Sequence, residues 1–182
     1  IADRDGNIVG CGARARGDAQ PKYLNSPQTE IFDKSRLLYG LDLAKDSIRE
    51  AGAVVVVEGY MDAITAHQFG HQNVVAAMGT ALTEAQIALV KRFAPKIILA
   101  LDADAAGQLA TVRGVETASD ALDHEDVAVT IGPGMIAWQQ RLKTEIRIAM
   151  LPVGKDPDEL LRREPERWND VIANAQPVLD WL

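Results

Sequence analysis

The chain has 182 residues, of which 47% are hydrophobic and 25% charged, a composition typical of one large globular domain or of a domain with an appended subdomain. Its apolar runs fall short of the ~20 residues that a membrane helix needs, and its net charge of −7 argues against a simple nucleic-acid-binding protein. The single cysteine, Cys11, excludes an internal disulfide and a cysteine-based zinc site in this segment, so we expect a reducing cytoplasm. The chain opens in what reads as the middle of a domain, and we therefore expect a fragment of a longer protein.

Residues 1–52 predict a small unit of strand, loop and helix. Asp5-Gly6 is typical of a hairpin turn and precedes a strand-like pattern at residues 7–15. Residues 17–30 are rich in glycine, proline, asparagine and serine, which indicates a structured loop. Residues 33–52 carry apolar side chains at helical spacing and end in glycine, so they predict a helix.

From residue 53 onward the pattern predicts an α/β fold. Residues 53–57 form a continuous β-branched run, typical of a strand buried on both faces. Strand-like and helix-like segments then alternate, which predicts a mostly parallel sheet flanked by helices. The further strands are expected at residues 73–77, 96–102, 127–131 and 145–151, and the helices at residues 61–70, 83–93 and 106–122. The stretch after residue 157 predicts C-terminal helices that start near Pro165 and Pro177.

Acidic residues follow several of the predicted strands. They are Glu58, Asp62, Asp102, Asp104, Asp156 and Asp158. The carboxyl ends of parallel strands meet at one edge of a sheet, so these carboxylates are expected to gather there. Oxygen ligands without histidine or cysteine favour Mg²⁺ or Mn²⁺ over zinc. Each acid taken singly has a structural alternative, for Asp158 as a helix N-cap and for Asp156 as a turn residue before proline.

Several motifs resemble known families. The stretches VVVVEGYMDAITAHQFG, NVVAAMGTALTEAQ, IILALDADAAGQLA and LPVGKDPDEL resemble the Toprim domain of bacterial primases, topoisomerases and some nucleases. EGYMD, MGTALT and GKDPDE are similar to stretches of the bacterial DnaG-type replicative primases, and residues 6–41 resemble the basic segment that precedes Toprim in them. The resemblance spans nearly the whole chain. It implies the end of an N-terminal subdomain at residues 1–52, a Toprim domain at residues 53–163 and the start of a helical subdomain at residues 164–182.

This resemblance implies DNA-directed synthesis of short RNA primers from NTPs, by Mg²⁺-dependent nucleotidyl transfer in which Mn²⁺ can substitute, and no zinc in this segment. Glu58, Asp102 and Asp104 would be the catalytic metal ligands, with Asp156 and Asp158 completing the metal site and Asp62 supporting it. The residues expected to contact template, primer or triphosphate are Arg14, Lys22, Tyr23, Asn25 and Lys34. The implied partners are single-stranded DNA, NTPs, the nascent primer and, through a domain outside this sequence, the replicative helicase. A membrane is not among them.

Two departures from the family pattern stand out. Alanine occupies position 103, where the family often has the glycine of an Asp-Gly-Asp motif. Residues 131–145 form a longer segment than the link that usually precedes the last strand of the family. Three alternatives remain open from the sequence. One is a Toprim nuclease or topoisomerase. A topoisomerase needs a nucleophilic tyrosine, and the sequences that flank Tyr23 and Tyr39 do not suggest one. The second is a metal- and nucleotide-binding module that is inactive in isolation. The third is a receiver-type domain, whose partner lysine is not evident here.

Overall fold

The computed structural model of the protein describes residues 1–17, 20–79, 82–101, 124–132, 135–142, 144–152 and 155–178. For Leu101 and for residues 124–132 and 135–142 it describes the backbone alone. Within these ranges no helix combines the length and apolar character needed to cross a bilayer.

The N-terminal unit is a short hairpin followed by two helical segments. Strand β1 (Gly12–Arg14) pairs antiparallel with β2 (Tyr23–Asn25), so the predicted strand at residues 7–15 is shorter than expected. The predicted helix at residues 33–52 is divided into a 3₁₀ turn at Lys34–Arg36 and helix α1 (Leu41–Ala51). Gly40 lies between them with φ of 79°, a left-handed conformation that glycine adopts without strain and that interrupts helical hydrogen bonding.

The remaining described elements confirm the α/β prediction, and the helix expected at residues 106–122 lies outside the described residues. In chain order they are β3 (Ala53–Val57), α2 (Tyr60–Gln68), β4 (Val74–Ala76), α3 (Glu84–Val90), β5 (Lys96–Leu101), β6 (His124–Gly132), β7 (Met135–Leu142), β8 (Glu145–Met150), α4 (Pro157–Arg163), α5 (Pro165–Ala173) and β9 (Gln176–Pro177). The main sheet has the order β4-β3-β5-β8-β9. Its first four strands are parallel, and β9 pairs antiparallel with β8 at the edge.

Both faces of β3 are buried, which is why its sequence is a run of valines. Val54 and Val56 belong to a core cluster that includes Ile48 of α1. Val55 and Val57 face a second core cluster that includes Trp168 of α5. Full burial of a side chain of this size contributes about 1.5–3 kcal/mol. The central strand is therefore held between helical layers that come from before and after it in the chain.

Two sequence expectations about the C-terminal half are wrong. Residues 127–131 were expected in the parallel sheet, but they lie in β6, which pairs antiparallel with β7 in a separate two-stranded sheet. Only two residues separate these strands in the sequence, and such a short link favours a hairpin over a crossover connection. Pro177 was expected to begin a helix but lies in the edge strand β9, where its missing N–H is tolerated. Pro165 does occupy the first turn of α5.

The N-terminal unit is joined to the main sheet by backbone and side-chain hydrogen bonds. Tyr39 and Ala76 form an antiparallel bridge, with N–H···O distances of 2.9 and 3.1 Å, so Tyr39 covers the outer edge of β4. The buried Gln86 side chain donates to the carbonyls of Lys34 at 2.9 Å and Leu37 at 2.8 Å. Gln86 also completes a capping box with Thr83 at the start of α3.

Candidate active-site cleft

A cleft of about 550 Å³ lies where β3 and β4 end, between the β1–β2 hairpin and the start of α4. The described residues that line it are Arg14, Lys22, Tyr23, Asn25, Glu58, Gly59, Tyr60, Met61, Asp62, Met78, Gly79, Asp156, Asp158 and Arg162. This edge is where open parallel sheets bind their ligands. One wall is rich in carboxylates, and the hairpin wall carries cationic and aromatic side chains.

The carboxylate wall begins directly after β3. Glu58 is half-buried there, and Gly59 is the N-cap of α2. Asp62 reaches back to accept the N–H of Gly59 at 3.1 Å through Oδ2. A Cβ atom at residue 59 would lie 2.9 Å from that oxygen, so a larger residue there would displace the Asp62 carboxylate from this contact. Asp62 therefore fixes the direction in which the chain leaves β3.

Asp158 links this wall to α4. Its N–H donates to Asp62 Oδ1 at 3.2 Å. Its Oδ1 accepts from the Thr65 hydroxyl and from Arg162 Nε, the latter at 2.8 Å. Arg162 Nη2 also donates to Thr65 Oγ1 at 3.2 Å. The N-cap of α4 is Asp156, which accepts the N–H of Glu159 at 2.7 Å, so the cap role considered for Asp158 belongs to Asp156.

The opposite wall is the β1–β2 hairpin, where two cationic side chains lie close to the ring of Tyr23. Arg14 Nε donates to the hydroxyl of Tyr23 at 3.2 Å, and the Arg14 and Lys22 cations each lie 5.8 Å from the Tyr23 ring centroid. Cation–π attraction holds such groups over a ring without consuming all of their hydrogen-bond donors. The arrangement presents two positive charges to the cleft.

Tyr60 connects the two walls. Its hydroxyl donates to the carbonyl of Ala13 at 3.0 Å, and its ring contacts Tyr23 edge-on at 5.4 Å and Tyr39 at 5.8 Å. Burial, and secondarily the neighbouring Tyr23, raise the pKa of Tyr60 above its ordinary value, so the hydroxyl stays protonated and donates near neutral pH. Because Tyr60 begins α2, it ties the hairpin directly to the segment that carries Glu58.

The turn after β4 has an unusual backbone. Met78 has φ of 61° and Gly79 has φ of 74°. A positive φ is uncommon for methionine, and strain of this kind concentrates at functional sites. The turn is held by hydrogen bonds from Ala77 N to Val57 O and from Gly79 N to Glu58 O, both at 3.0 Å. It therefore forms a second rigid boundary beside Glu58.

The structure brings most of the sequence-predicted site residues into this cleft. They are Arg14, Lys22, Tyr23, Asn25, Glu58, Asp62, Asp156 and Asp158. Lys34 does not line it, but lies in the 3₁₀ turn that packs on α3. Asp102 and Asp104 lie outside the described residues.

Three residues in or beside the cleft had no role predicted from the sequence, namely Tyr60, Thr65 and Arg162. Tyr60 lies inside the EGYMD motif, which was a usable signal. Arg162 follows Asp158 by four positions, the spacing of a helical ion pair, and was also accessible from the sequence. Thr65 carried no comparable signal, because its partner is 93 residues away.

The chemistry of the cleft fits a hard divalent cation. The described lining contains four carboxylates and neither histidine nor cysteine, a donor set that matches Mg²⁺ or Mn²⁺. In the part of the chain that the structure describes, no group of three or more His, Cys, Asp and Glu side chains is already arranged to hold a metal ion. The carboxylates of Asp62 and Asp158 accept hydrogen bonds from the protein instead.

A parallel sheet with Glu58 directly after β3 and further acids in the same cleft is the arrangement expected of a Toprim-like protein. A family model described as Toprim-like matches residues 55–135, and one described as the N-terminal domain of the DNA primase catalytic core matches residues 1–45. The DNA primase of Clostridium acetobutylicum is 40% identical over 183 residues, which cover 100% of this chain and 27% of that protein. The chain belongs to the family of DnaG-type bacterial primases.

Solved structures agree with this assignment. The Escherichia coli primase catalytic core is 36% identical with a TM-score of 0.81, and the match covers 100% of this chain and 52% of that one. A DnaG primase catalytic domain bound to single-stranded DNA is also 36% identical with a TM-score of 0.81, over 100% of this chain and 53% of that one. The chain thus spans about a quarter of the length of its curated relatives and about half of these catalytic cores.

Proposed function

We propose that this chain forms the centre of a primase catalytic core that makes short RNA primers from NTPs on single-stranded DNA. The observation that carries the proposal is the meeting of Glu58 and Asp158 with Arg14 and Lys22 in one cleft at the end of a parallel sheet. A related catalytic domain has been solved with single-stranded DNA bound, which supports such a template. Nucleotidyl transfer needs both walls, since metal-binding acids and phosphate-binding cations act on the same phosphoryl group.

Glu58 of the acidic wall, together with Asp102 and Asp104, would hold the divalent cations, with Asp156 and Asp158 completing the site and Asp62 supporting it. The proposed ion is Mg²⁺, with Mn²⁺ as a substitute, in keeping with the carboxylate donors of the lining. When bound, such ions neutralise the charge that develops on the attacking and leaving oxygens. The protein itself would orient the carboxylates. The hydrogen bond from the Gly59 N–H to Asp62 fixes the segment next to Glu58.

On the hairpin wall, Arg14 and Lys22 would contact the triphosphate or the nucleic-acid backbone, because both are exposed cations facing the acidic wall. Tyr23 is held edge-on by Tyr60 and offers a ring to a base or sugar. Asn25 also lines the cleft and would contact template, primer or triphosphate there. Lys34 lies outside the cleft and would contact the template or primer strand beyond it.

The domain division into residues 1–52, 53–163 and 164–182 is also a proposal. The start of the main sheet at Ala53 and the two separate family matches support its first boundary. We further propose that the protein acts in the bacterial cytoplasm as part of the replisome and meets the replicative helicase through a domain outside this sequence.

The test is Glu58→Gln in the full-length primase that carries this sequence. The amide keeps the size of the side chain but removes the charge that a divalent cation needs. Loss of about 3 kcal/mol of transition-state stabilisation would slow NTP incorporation on single-stranded DNA by roughly 100-fold. Glu84→Gln, at an exposed position in the first turn of α3 and outside the cleft, is the matched control and should prime normally.

Each outcome has a definite meaning. Normal primer synthesis by a folded Glu58→Gln protein would remove Glu58 from the catalytic group. If the unmodified protein instead cleaves DNA strands in the presence of Mg²⁺ and incorporates no NTP, the cleft serves a Toprim nuclease or topoisomerase, and the primase proposal is wrong. Binding of Mn²⁺ and NTP by the full-length chain without either reaction would make it a binding module.

A further inference from the structure

We propose that Thr65 and Arg162 are positioning residues that hold one oxygen of Asp158, so that the other oxygen is the one presented to a divalent cation. This inference rests on the proposed function, because it takes Asp158 as part of the cation site. Neither residue has a role predicted from the sequence.

The geometry singles out one oxygen. Thr65 Oγ1 and Arg162 Nε both donate to Oδ1 of Asp158. An ionised carboxylate has about four lone-pair sites, two on each oxygen. The two donors therefore occupy both lone-pair sites of Oδ1. The Asp158 backbone is fixed as well, because its N–H donates to Asp62 Oδ1 at 3.2 Å. A cation approaching through the cleft therefore meets Oδ2 of a carboxylate that can no longer rotate freely.

The Thr65 contact differs from what a helical threonine usually does. A buried threonine inside a helix commonly donates its hydroxyl hydrogen to the backbone carbonyl four residues earlier. Thr65 is fully buried, with 0% exposure, yet it gives its single hydroxyl hydrogen to the side chain of Asp158 on another helix. Its oxygen in turn accepts from Arg162 at 3.2 Å. The three groups form a closed triangle in which each fixes the other two.

A second ion pair on α4 has the same spacing as the Arg162–Asp158 pair but lies at the surface. Arg163 pairs with Glu159 at 3.0 Å with the same four-residue spacing, but 70% of its side chain is exposed and it does not line the cleft. Arg162 is 52% exposed, lines the cleft and has a second partner in Thr65. The two arginines are therefore a matched pair for experiment, one at the site and one beside it.

The decisive variant is Thr65→Val in the full-length primase. Valine has nearly the volume of threonine but no hydroxyl, and the change leaves the charge of the cleft unaltered. We titrate Mn²⁺ alone, without nucleotide, and follow free Mn²⁺ by electron paramagnetic resonance. Loss of an outer-shell partner typically weakens metal binding about 10- to 100-fold, and we expect a weakening in that range. Thr65→Ser, which keeps the hydroxyl, should restore Mn²⁺ affinity, and Arg163→Gln should leave it unchanged.

A second variant covers the case in which Thr65→Val does not fold. Arg162→Lys keeps the positive charge on a solvent-facing helix position, but a lysine ammonium cannot hold Asp158 and Thr65 in a fixed planar fork. It should therefore also weaken Mn²⁺ binding. In primer synthesis, both variants should need more Mg²⁺ for half-maximal rate and should recover most of the rate at saturating Mg²⁺.

Several results would overturn the inference. Unchanged Mn²⁺ affinity in both variants would refute it, whether or not the melting temperature falls, because a fall in stability alone would mean that the triangle only joins α2 to α4. A full-length protein that binds no Mn²⁺ would refute the cation site and this inference together. A protein that binds Mn²⁺ through this triangle but makes no primer would instead contradict the proposed function and leave the positioning role supported.

Discussion

Tyr60 offers a direct test of how the two walls of the cleft are joined. Tyr60→Phe removes only the hydroxyl that donates to the carbonyl of Ala13 at 3.0 Å and keeps the aromatic contacts. A net hydrogen bond contributes about 0.5–1.5 kcal/mol, and this one is exposed enough for water to replace it, so the loss should be near the lower limit. For a cooperative unit of this length, 1 kcal/mol corresponds to about 2–4 °C in Tm, so we expect a shift of about 1–2 °C.

Tyr60→Leu should have a larger effect because it also removes both ring contacts. Aromatic pairs contribute about 0.5–1.5 kcal/mol each beyond their buried area, and Tyr60 has two, with Tyr23 and Tyr39. Together with the lost hydrogen bond, the expected loss is about 1.5–3.5 kcal/mol. Freed from this contact, the hairpin should present Arg14 and Lys22 less rigidly, so the KM for NTP should rise several-fold while Mn²⁺ affinity stays the same.

The assay combines thermal unfolding with steady-state primer synthesis in the full-length protein. Tyr39→Phe is the matched control, because it keeps the Tyr60 hydrogen bond to the hairpin and both ring contacts. If Tyr60→Leu melts at the temperature of the unmodified protein and shows its KM, the hairpin is positioned by something else and the reasoning is refuted.

Two further predictions concern stability alone. Thr83→Ala removes the N-cap acceptor of α3, which receives the N–H of Gln86 at 3.1 Å, and should lower the free energy of unfolding by about 1 kcal/mol in urea titrations, whereas Thr83→Ser should lower it much less. Hydrogen bonds from Lys155, and then from Arg167, lower the pKa of Glu164 from 4.5 to about 2. Since the folded-state pKa is depressed, its stabilising contribution is complete above pH 4.5 and is lost as the pH falls toward 2. Glu164→Gln should therefore unfold with a flatter dependence on pH in this window, and parallel curves for the two proteins would contradict the assignment.

The fold was largely predictable because its main determinants are local in the sequence. The valines of β3 and the helical pattern at residues 83–93 each indicated their own element, and both predictions are confirmed. The interrupted helix was missed because Tyr39, directly before Gly40, forms a strand-like bridge with Ala76, and no local pattern in the sequence indicates this pairing. Pro177 was misassigned because proline suits a helix start and an edge strand equally well, and only the neighbouring strand β8 distinguishes them.

The candidate site was predictable to the extent that it follows from topology. Carboxylates after parallel strands gather at one edge whatever the details of packing, which is why Glu58 and Asp158 line the same cleft. The supporting contacts were not predictable in this way. Tyr60 reaches a carbonyl 47 residues away, and Arg162 reaches Thr65 across 97 residues. Such pairings depend on how helices pack, and a single sequence does not encode them in any local pattern.

The bridge between Tyr39 and Ala76 has a practical consequence for dividing the chain. An unpaired edge strand exposes N–H and C=O groups that can recruit a strand from another molecule. Here Tyr39 covers the outer edge of β4, and the proline-containing β9 covers the edge of β8. A recombinant piece that started at the first residue of β3 would lose the cover on β4 and should self-associate as its concentration rises. A piece that retains Tyr39 and α1 should remain monodisperse, so the expression boundary belongs before the 3₁₀ turn rather than at the start of the sheet.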